Sequence, residues 1–263
     1  MPYLFFSVLL ALMLLSGPAA AQQIQKTSKG SVKAKHGVYF APDNCAPPSG
    51  KKLARRYSIK QLLDEHKIVG MSPTPVKPFS KLILNWNSTY DIFLFNDPKS
   101  LGGKYVFPAV YSPATISNRT DDALLKDSEL CIGPPGITQN GDTVCINLFG
   151  HFVILTDKLD SVRSVMNSTT TLHNVDQSKL QIIIDKNATV EANGIVDHLI
   201  VTVPSNGTAS LEKLVVTDLA EVNVFSNGSA KVNVNGVLKG KRWSPERLQW
   251  IGKPTQVDMI QLD

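Results

Sequence analysis

The chain has 263 residues, 43% of them hydrophobic, and a formal net charge of +5, enough apolar material for a sizeable core in one domain without requiring a second. The basic residues gather near the N-terminus, in Lys26, Lys29, Lys33 and Lys35 and again in Lys51, Lys52, Arg55 and Arg56, and within neither cluster does an aromatic residue interleave. That pattern excludes a stacking surface for nucleic acid and reads as a solvated arm, with an anionic glycan or anionic cell surface as the alternative.

Residues Tyr3 to Leu15 form an uncharged apolar run followed by Gly17, Pro18 and Ala19-Ala20-Ala21. This is the layout of a cleavable secretory signal, and it predicts a mature chain beginning at Gln22. The run is shorter than the roughly 20 residues of a spanning helix, an uncleaved signal anchor being the alternative. The C-terminus, Gln256 to Asp263, is polar and lacks the hydrophobic tail of a lipid anchor. The expectation is a secreted, extracellular protein, associated with a cell wall or cell surface and without a membrane span once the signal is removed. Sequons at Asn87, Asn118, Asn167, Asn187, Asn206 and Asn227 fit a eukaryotic secretory route.

Residues 22–77 form an N-terminal extension rich in Lys, Ser, Pro and Gly. Its one helical signal is Ser58 with Gln61, a capping-box spacing, followed by Leu62, Leu63 and Ile68, which predicts a short helix from Ile59. The dibasic pairs Lys51-Lys52 and Arg55-Arg56 also fit a processing site, and cleavage there would remove Cys45. From Phe79 onward, short β-branched or aromatic runs bounded by Asn, Asp, Gly and Pro read as strands: Leu82–Leu84, Ile92–Leu94, Tyr105–Phe107, Val144–Leu148 and Phe152–Leu155. The stretch 98–150 reads as an irregular insertion. In it Cys131 and Cys145 flank Gly133-Pro134-Pro135-Gly136 and Asn140-Gly141-Asp142, so a hairpin bridged by these two cysteines is expected, with Cys45 left over. Closing a loop of about 15 residues stabilises by roughly 3 kcal/mol on the chain-entropy model.

From residue 155 the chain repeats itself. Leu180–Thr189, Leu199–Thr208 and Ala220–Ser229 each give an alternating strand, a turn built on Asn, then a small residue and a hydroxyl. The turn asparagines Asn167, Asn187, Asn206 and Asn227 are 20, 19 and 21 residues apart, and Leu155, Val175, Val196 and Val216 follow at intervals of 20, 21 and 20. Leu159, Leu180, Leu199 and Leu219 form a further column, whereas Asn87 and Asn118 fall outside the register. A period near 20 suits one coil of a solenoid with strands on its sides. Leu180, Ile182, Ile184, Leu199, Val201, Val203, Ala220, Val222 and Val224 would face inward, and Gln181, Thr202, Glu221 and Asn223 outward. Asn with Gly at the turn would supply the left-handed backbone of a sharp corner. An antiparallel sandwich of short strands would show the same spacing.

The turns Ser205-Asn206-Gly207-Thr208 and Ser226-Asn227-Gly228-Ser229, the ending Trp250-Ile251-Gly252-Lys253-Pro254, and the opening strands after Phe79 and Tyr90 resemble the auto-transporter adhesin head domains known as the GIN domain family. The resemblance implies an all-β fold, a right-handed parallel β-helix (solenoid) with coils of about 20 residues over 78–259. It carries over no catalytic residue. Asn in place of the first turn glycine, the cysteine-bearing insertion and the N-terminal extension depart from the family pattern.

Motifs of chemistry are missing: there is no Gly-x-Ser-x-Gly, His-Glu-x-x-His, phosphate-binding glycine loop or Cys-x-x-Cys. The histidines His36, His66, His151, His173 and His198 show no ligand spacing, and His173 and His198 read as surface residues of the coils. Asp157, Asp176, Asp197 and Asp218 recur at 19, 21 and 21 residues. They suit corners, where Asp bonds to backbone, or, as the alternative, a cation or sugar site. Trp243 and Trp250 are the aromatic candidates for a sugar groove. The expected function is that of a non-enzymatic, adhesin-like or wall-associated scaffold with no cofactor, whose partner is a cell-wall or cell-surface glycan or protein. A polysaccharide lyase or hydrolase on the same fold is the alternative, as is a module that binds anionic glycans through the basic arm.

Overall fold

A computed structural model of the chain describes residues 70–96, 105–113 and 135–262. The signal run, the basic arm, the helix expected from Ile59, the dibasic pairs, Cys45, Cys131, Asn118, His36 and His66 lie outside the described residues.

Alternation of apolar and polar residues forces extended chain with one side toward a core, and in the repeat region this pattern recurs in every coil, broken at a corner within each long strand. The result is three long strands, β9 (Thr169–Ile184), β10 (Thr189–Val203) and β11 (Thr208–Val224), paired parallel and in order. Corresponding threonines show the coil length: 189 − 169 = 20 and 208 − 189 = 19. The fold is a parallel β-solenoid, as the periodicity predicts. All nine residues expected to face inward are fully buried, whereas Gln181, Thr202, Glu221 and Asn223 stand at the surface. Burying one such aliphatic side chain is worth roughly 1.5–3 kcal/mol, and each relies on the coil above and below to exclude water.

Two ladders continue this stacking beyond the long strands. Shorter strands carry it: β2 (Lys81–Asn85), β3 (Thr89–Leu94), β6 (Thr143–Asn147), β7 (His151–Thr156), β8 (Ser161–Ser164), β12 (Ser229–Val234), β13 (Val237–Arg242), β14 (Leu248–Ile251) and β15 (Gln256–Gln261). One inward column runs Val144, Leu82, Val162, Ile182, Val201, Val222, Gly240, Met259. On the second face Phe152, Tyr90, Thr170, Val190, Ala209, Ala230 and Leu248 stack in the same way.

The order of coils in space is not their order in sequence. β2 pairs with β6 on one side and β8 on the other, and β3 with β7 and β9. The coil formed by residues 81–94 is therefore inserted between the coil of residues 143–156 and the coil that begins at Ser161. This corrects the expected column from Leu155 to Val175. Leu155 pairs with Phe93, which pairs with His173, and with Phe93, Ala109, Tyr111 and Val153 it forms a second apolar cluster. Leu219 also leaves its expected column: a register shift sets it opposite His198, and Ala220 opposite Leu199.

The stretch 98–150 is not wholly irregular. It supplies β4 (Ala109–Ser112), which pairs antiparallel with β7, and a hairpin of β5 (Gly136–Asn140) with β6 around Gly141-Asp142. β1 (Ser72–Pro75) adds to β4, also antiparallel. These antiparallel strands cover the first coil, whose edge would otherwise offer unpaired backbone groups to another chain.

The turn glycines act differently from the expectation. Gly207 and Gly228 do not take the left-handed conformation; Met166, Asn167, Lys186, Asn187 and Ser226 do, at φ of 59°, 58°, 51°, 66° and 49°. A Cβ at Gly207 would lie 2.7 Å from the Ile184 carbonyl oxygen, and one at Gly228 2.6 Å from that of Ser205. Glycine is needed there because successive coils approach closely.

The alternation sets a direct expectation. Val201→Asp would bury an unpaired carboxylate and should lower stability by about 4 kcal/mol or more, while Thr202→Asp, facing solvent, should cost under about 0.5 kcal/mol. Thermal or urea denaturation of the two variants checks it.

Candidate functional site: an edge of stacked asparagine turns

Parallel stacking brings equivalent residues of successive coils together on the surface. The hydroxyl positions of five sequons form one unbroken ladder: Thr89 pairs with Thr169, Thr169 with Thr189, Thr189 with Thr208 and Thr208 with Ser229. Their asparagines, two residues earlier, emerge along one edge and are all exposed. Asn87, expected outside the register, stands at its head: Asn167 donates from Nδ2 to Asn87 Oδ1 at 2.9 Å. The inserted coil puts it there, because 80 residues of sequence separate two adjacent coils. Further down the edge, Ser205 donates to Asp185 Oδ1 at 2.6 Å and accepts from the Lys186 N–H at 3.0 Å, joining one turn to the next.

Beyond Asn87 the edge becomes aromatic. Thr89 lies opposite His151, which places Phe149 at the asparagine position of the first coil. Phe149 and Trp86 meet edge to face with ring centroids 4.9 Å apart and are 65% and 37% exposed. Met166, also exposed, follows in the position after Trp86. Trp86 has φ 73°, a conformation bulky residues rarely adopt.

The chemistry-bearing side chains tie coils together. Asp91, nearly buried on β3, accepts from His151 Nε2 at 2.7 Å and from His173 Nε2 at 2.8 Å. His173 is buried and stacks on Phe93 at 4.2 Å between ring centroids, so it is not the surface residue expected from its polar neighbours. This His–Asp–His bridge crosses three adjacent coils, the inserted one in the middle. Sequence reasoning missed it because its members are 60 and 82 residues apart.

Asp157, Asp176, Asp197 and Asp218 are exposed but do not form one straight column. Asp176 stands opposite Ile195 and accepts from Asn96 Nδ2 at 3.2 Å, so the inserted coil occupies the place expected for Asp157. Asp197 accepts from Thr217 Oγ1 at 2.8 Å, and Asp218 meets His198 Nε2 at 2.6 Å. Among the described residues no group of three or more His, Cys, Asp or Glu is placed to hold a metal ion.

The two tryptophans expected to share a groove are separated by burial. Trp250 closes the end of the core beneath Arg242, whose guanidinium sits 5.9 Å from the ring centroid, and Trp243 is half-exposed. Burial pulls the Arg242 guanidinium below its usual range. Cys145, buried on β6 opposite Thr138, is disulfide-bonded. Its partner, Cys45 or Cys131, lies outside the described residues. No helix among the described residues is long and apolar enough to cross a membrane.

No family model matches the chain, and no curated protein does. A solved structure described as a "putative adhesin" from Bacteroides fragilis NCTC 9343 is similar over 72% of this chain and 96% of its own, at 12% identity and a TM-score of 0.32.

Asp91→Ala removes the acceptor of two histidines and should lower stability by roughly 2–3 kcal/mol, while His151→Ala, at the more exposed arm, should cost less; urea denaturation compares them. Non-reducing peptide mapping of the secreted chain should link Cys145 to Cys131 and leave Cys45 outside the bond.

Proposed function

We propose that the protein is a secreted, non-enzymatic β-solenoid that serves as an adhesion or binding scaffold at a cell wall or cell surface. The observation that carries this reading is the use made of its reactive side chains. Asp91, His151 and His173 are spent on one bridge, Asp218 and His198 on another, and Asp176 and Asp197 on side-chain bonds to neighbouring coils. A hydrolase or lyase would instead direct such groups at a common point where a glycosidic bond could lie.

The solenoid favours a partner recognised along its length. Each outward rank repeats at the spacing of neighbouring strands, about 4.8 Å, and weak contacts repeated along such a ladder add by avidity. Repetitive surface polymers, glycans above all, match that geometry. The likeness of the turns and of the Trp250–Pro254 ending to the GIN domain agrees with an adhesin-like role, and residues 78–259 are the binding body in this reading.

A glycan array with the mature protein, followed by incubation of any bound polysaccharide, tests the proposal. Saturable binding to one class of surface glycan without release of shortened products is the expected result. Product release would make the protein an enzyme. Binding that disappears at high salt and on deletion of residues 22–56 would transfer recognition to the basic arm.

A further inference from the structure

The sequon edge and the aromatic ledge meet at one residue. We propose that Asn87 is glycosylated and that the first sugar of its glycan lies on the ledge formed by Phe149 and Trp86.

Three observations converge on this. The side chain of Asn87 is oriented for it: Oδ1 accepts from Asn167, and Nδ2, the atom that carries an N-linked glycan, makes no hydrogen bond among the described residues. Asn167 uses its own Nδ2 in that bond. Space is the second observation. At a coil spacing of about 4.8 Å, Asn167, Asn187 and Asn206 each have an asparagine on both sides, too close for two branched glycans. Asn87 has one on a single side, and its other neighbour is Phe149. Asn227 is also terminal, but its far side is taken by Arg247, which donates from Nη1 to the Asn227 carbonyl at 3.2 Å.

The third observation is the ledge itself. Two large aromatic rings stand exposed in edge-to-face contact beside the sequon, and Trp86 holds a left-handed backbone next to Asn87 in the chain. The same left-handed corner recurs at Met166 and Lys186 in the coils that follow, so the turn of the coil itself places the Trp86 side chain at this edge. A hexosamine ring has an apolar face of axial C–H groups, and an aromatic face covered by it loses its contact with water while the sugar's hydroxyls keep theirs. An attached sugar does so without the entropic cost of capturing a free one.

The modification is ordinary oligosaccharyl transfer from a lipid-diphosphate-linked oligosaccharide. Asn87 Nδ2 forms a bond to the anomeric carbon as the bond from that carbon to the diphosphate oxygen breaks. The bonding electrons leave with the diphosphate, and one Nδ2 proton passes to the transferase base.

The test uses the full chain secreted from a glycosylating eukaryotic cell line and the same chain made in bacteria. Glycopeptide mass spectrometry should find Asn87 occupied more fully than Asn167, Asn187 or Asn206. A thermal double-mutant cycle of Phe149→Ala with Asn87→Gln should then be non-additive in the glycosylated protein. Phe149→Ala should lower Tm by at least about 2 °C more when Asn87 carries its glycan than when it does not, and the cycle should be additive in the bacterial protein. Phe149 is exposed, so its removal leaves the core intact. An unmodified Asn87 beside occupied neighbours overturns the assignment, and an additive cycle on occupied protein overturns the ledge. Saturable protection of the ledge by free glycans in the bacterial protein would assign it to an external sugar and also overturn the proposal.

Discussion

Parallel stacking at the distance of a backbone hydrogen bond is the constraint on which everything else in this molecule depends. In a coil of about 20 residues no side chain is buried by its own coil; Val201 is buried because Ile182 and Val222 lie directly beside it in the ladder. The same geometry leaves no room for a Cβ at Gly207 or Gly228, where the chain of one coil passes against the carbonyls of the one before. Every position of an inner coil therefore has an equivalent position on each side, and a substitution there is felt in three coils at once.

A stack of this sort has two weak points, its ends and any place where chain order and coil order disagree. Antiparallel β4 and β5 cover one end, and at the other the buried Arg242–Trp250 pair lies over the last apolar layer. The disagreement in order falls at the coil of residues 81–94, which enters between coils that follow it in sequence. Side-chain bonds concentrate there: the His151–Asp91–His173 bridge, the Asn167–Asn87 bond and the Asn96–Asp176 bond each pin that coil to a neighbour. A coil without covalent continuity to either neighbour gains most from such pins, because backbone ladders alone permit a slip of register and these directional bonds do not.

This distribution of polar groups also shapes the functional reading. Asp91, His151, His173, Asp176, Asp197, His198 and Asp218 bond between coils, and the outer surface carries repeating ranks of hydroxyl, amide and charged side chains. Repetition suits a partner that is itself repetitive. The departures from repetition, Phe149 and Trp86 at the head of the asparagine edge, are where a single specific contact is built.

The sequence by itself determined what is local and periodic: the alternation that turns Leu180, Ile182 and Ile184 inward, the turn chemistry around each Asn, and the coil length read from their spacing. Those features are legible because each is set by residues within one coil, and three successive coils without insertions repeat the same pattern. Only the tertiary structure decided which coils are neighbours. Asn87 joins the sequon edge, His173 becomes buried, Leu155 leaves the column of Val175 and Asp157 is parted from Asp176 because the coil of residues 81–94 inserts ahead of Ser161, while the pairing register of the long strands sets Asp176 opposite Ile195 and not Asp197. Contacts between residues 60 to 82 positions apart carry no periodic signal, since the intervening chain is of irregular length and builds strands of its own. The pairing is chosen by the exposed edges each coil offers to the next, a property of the assembled sheet that no segment has alone.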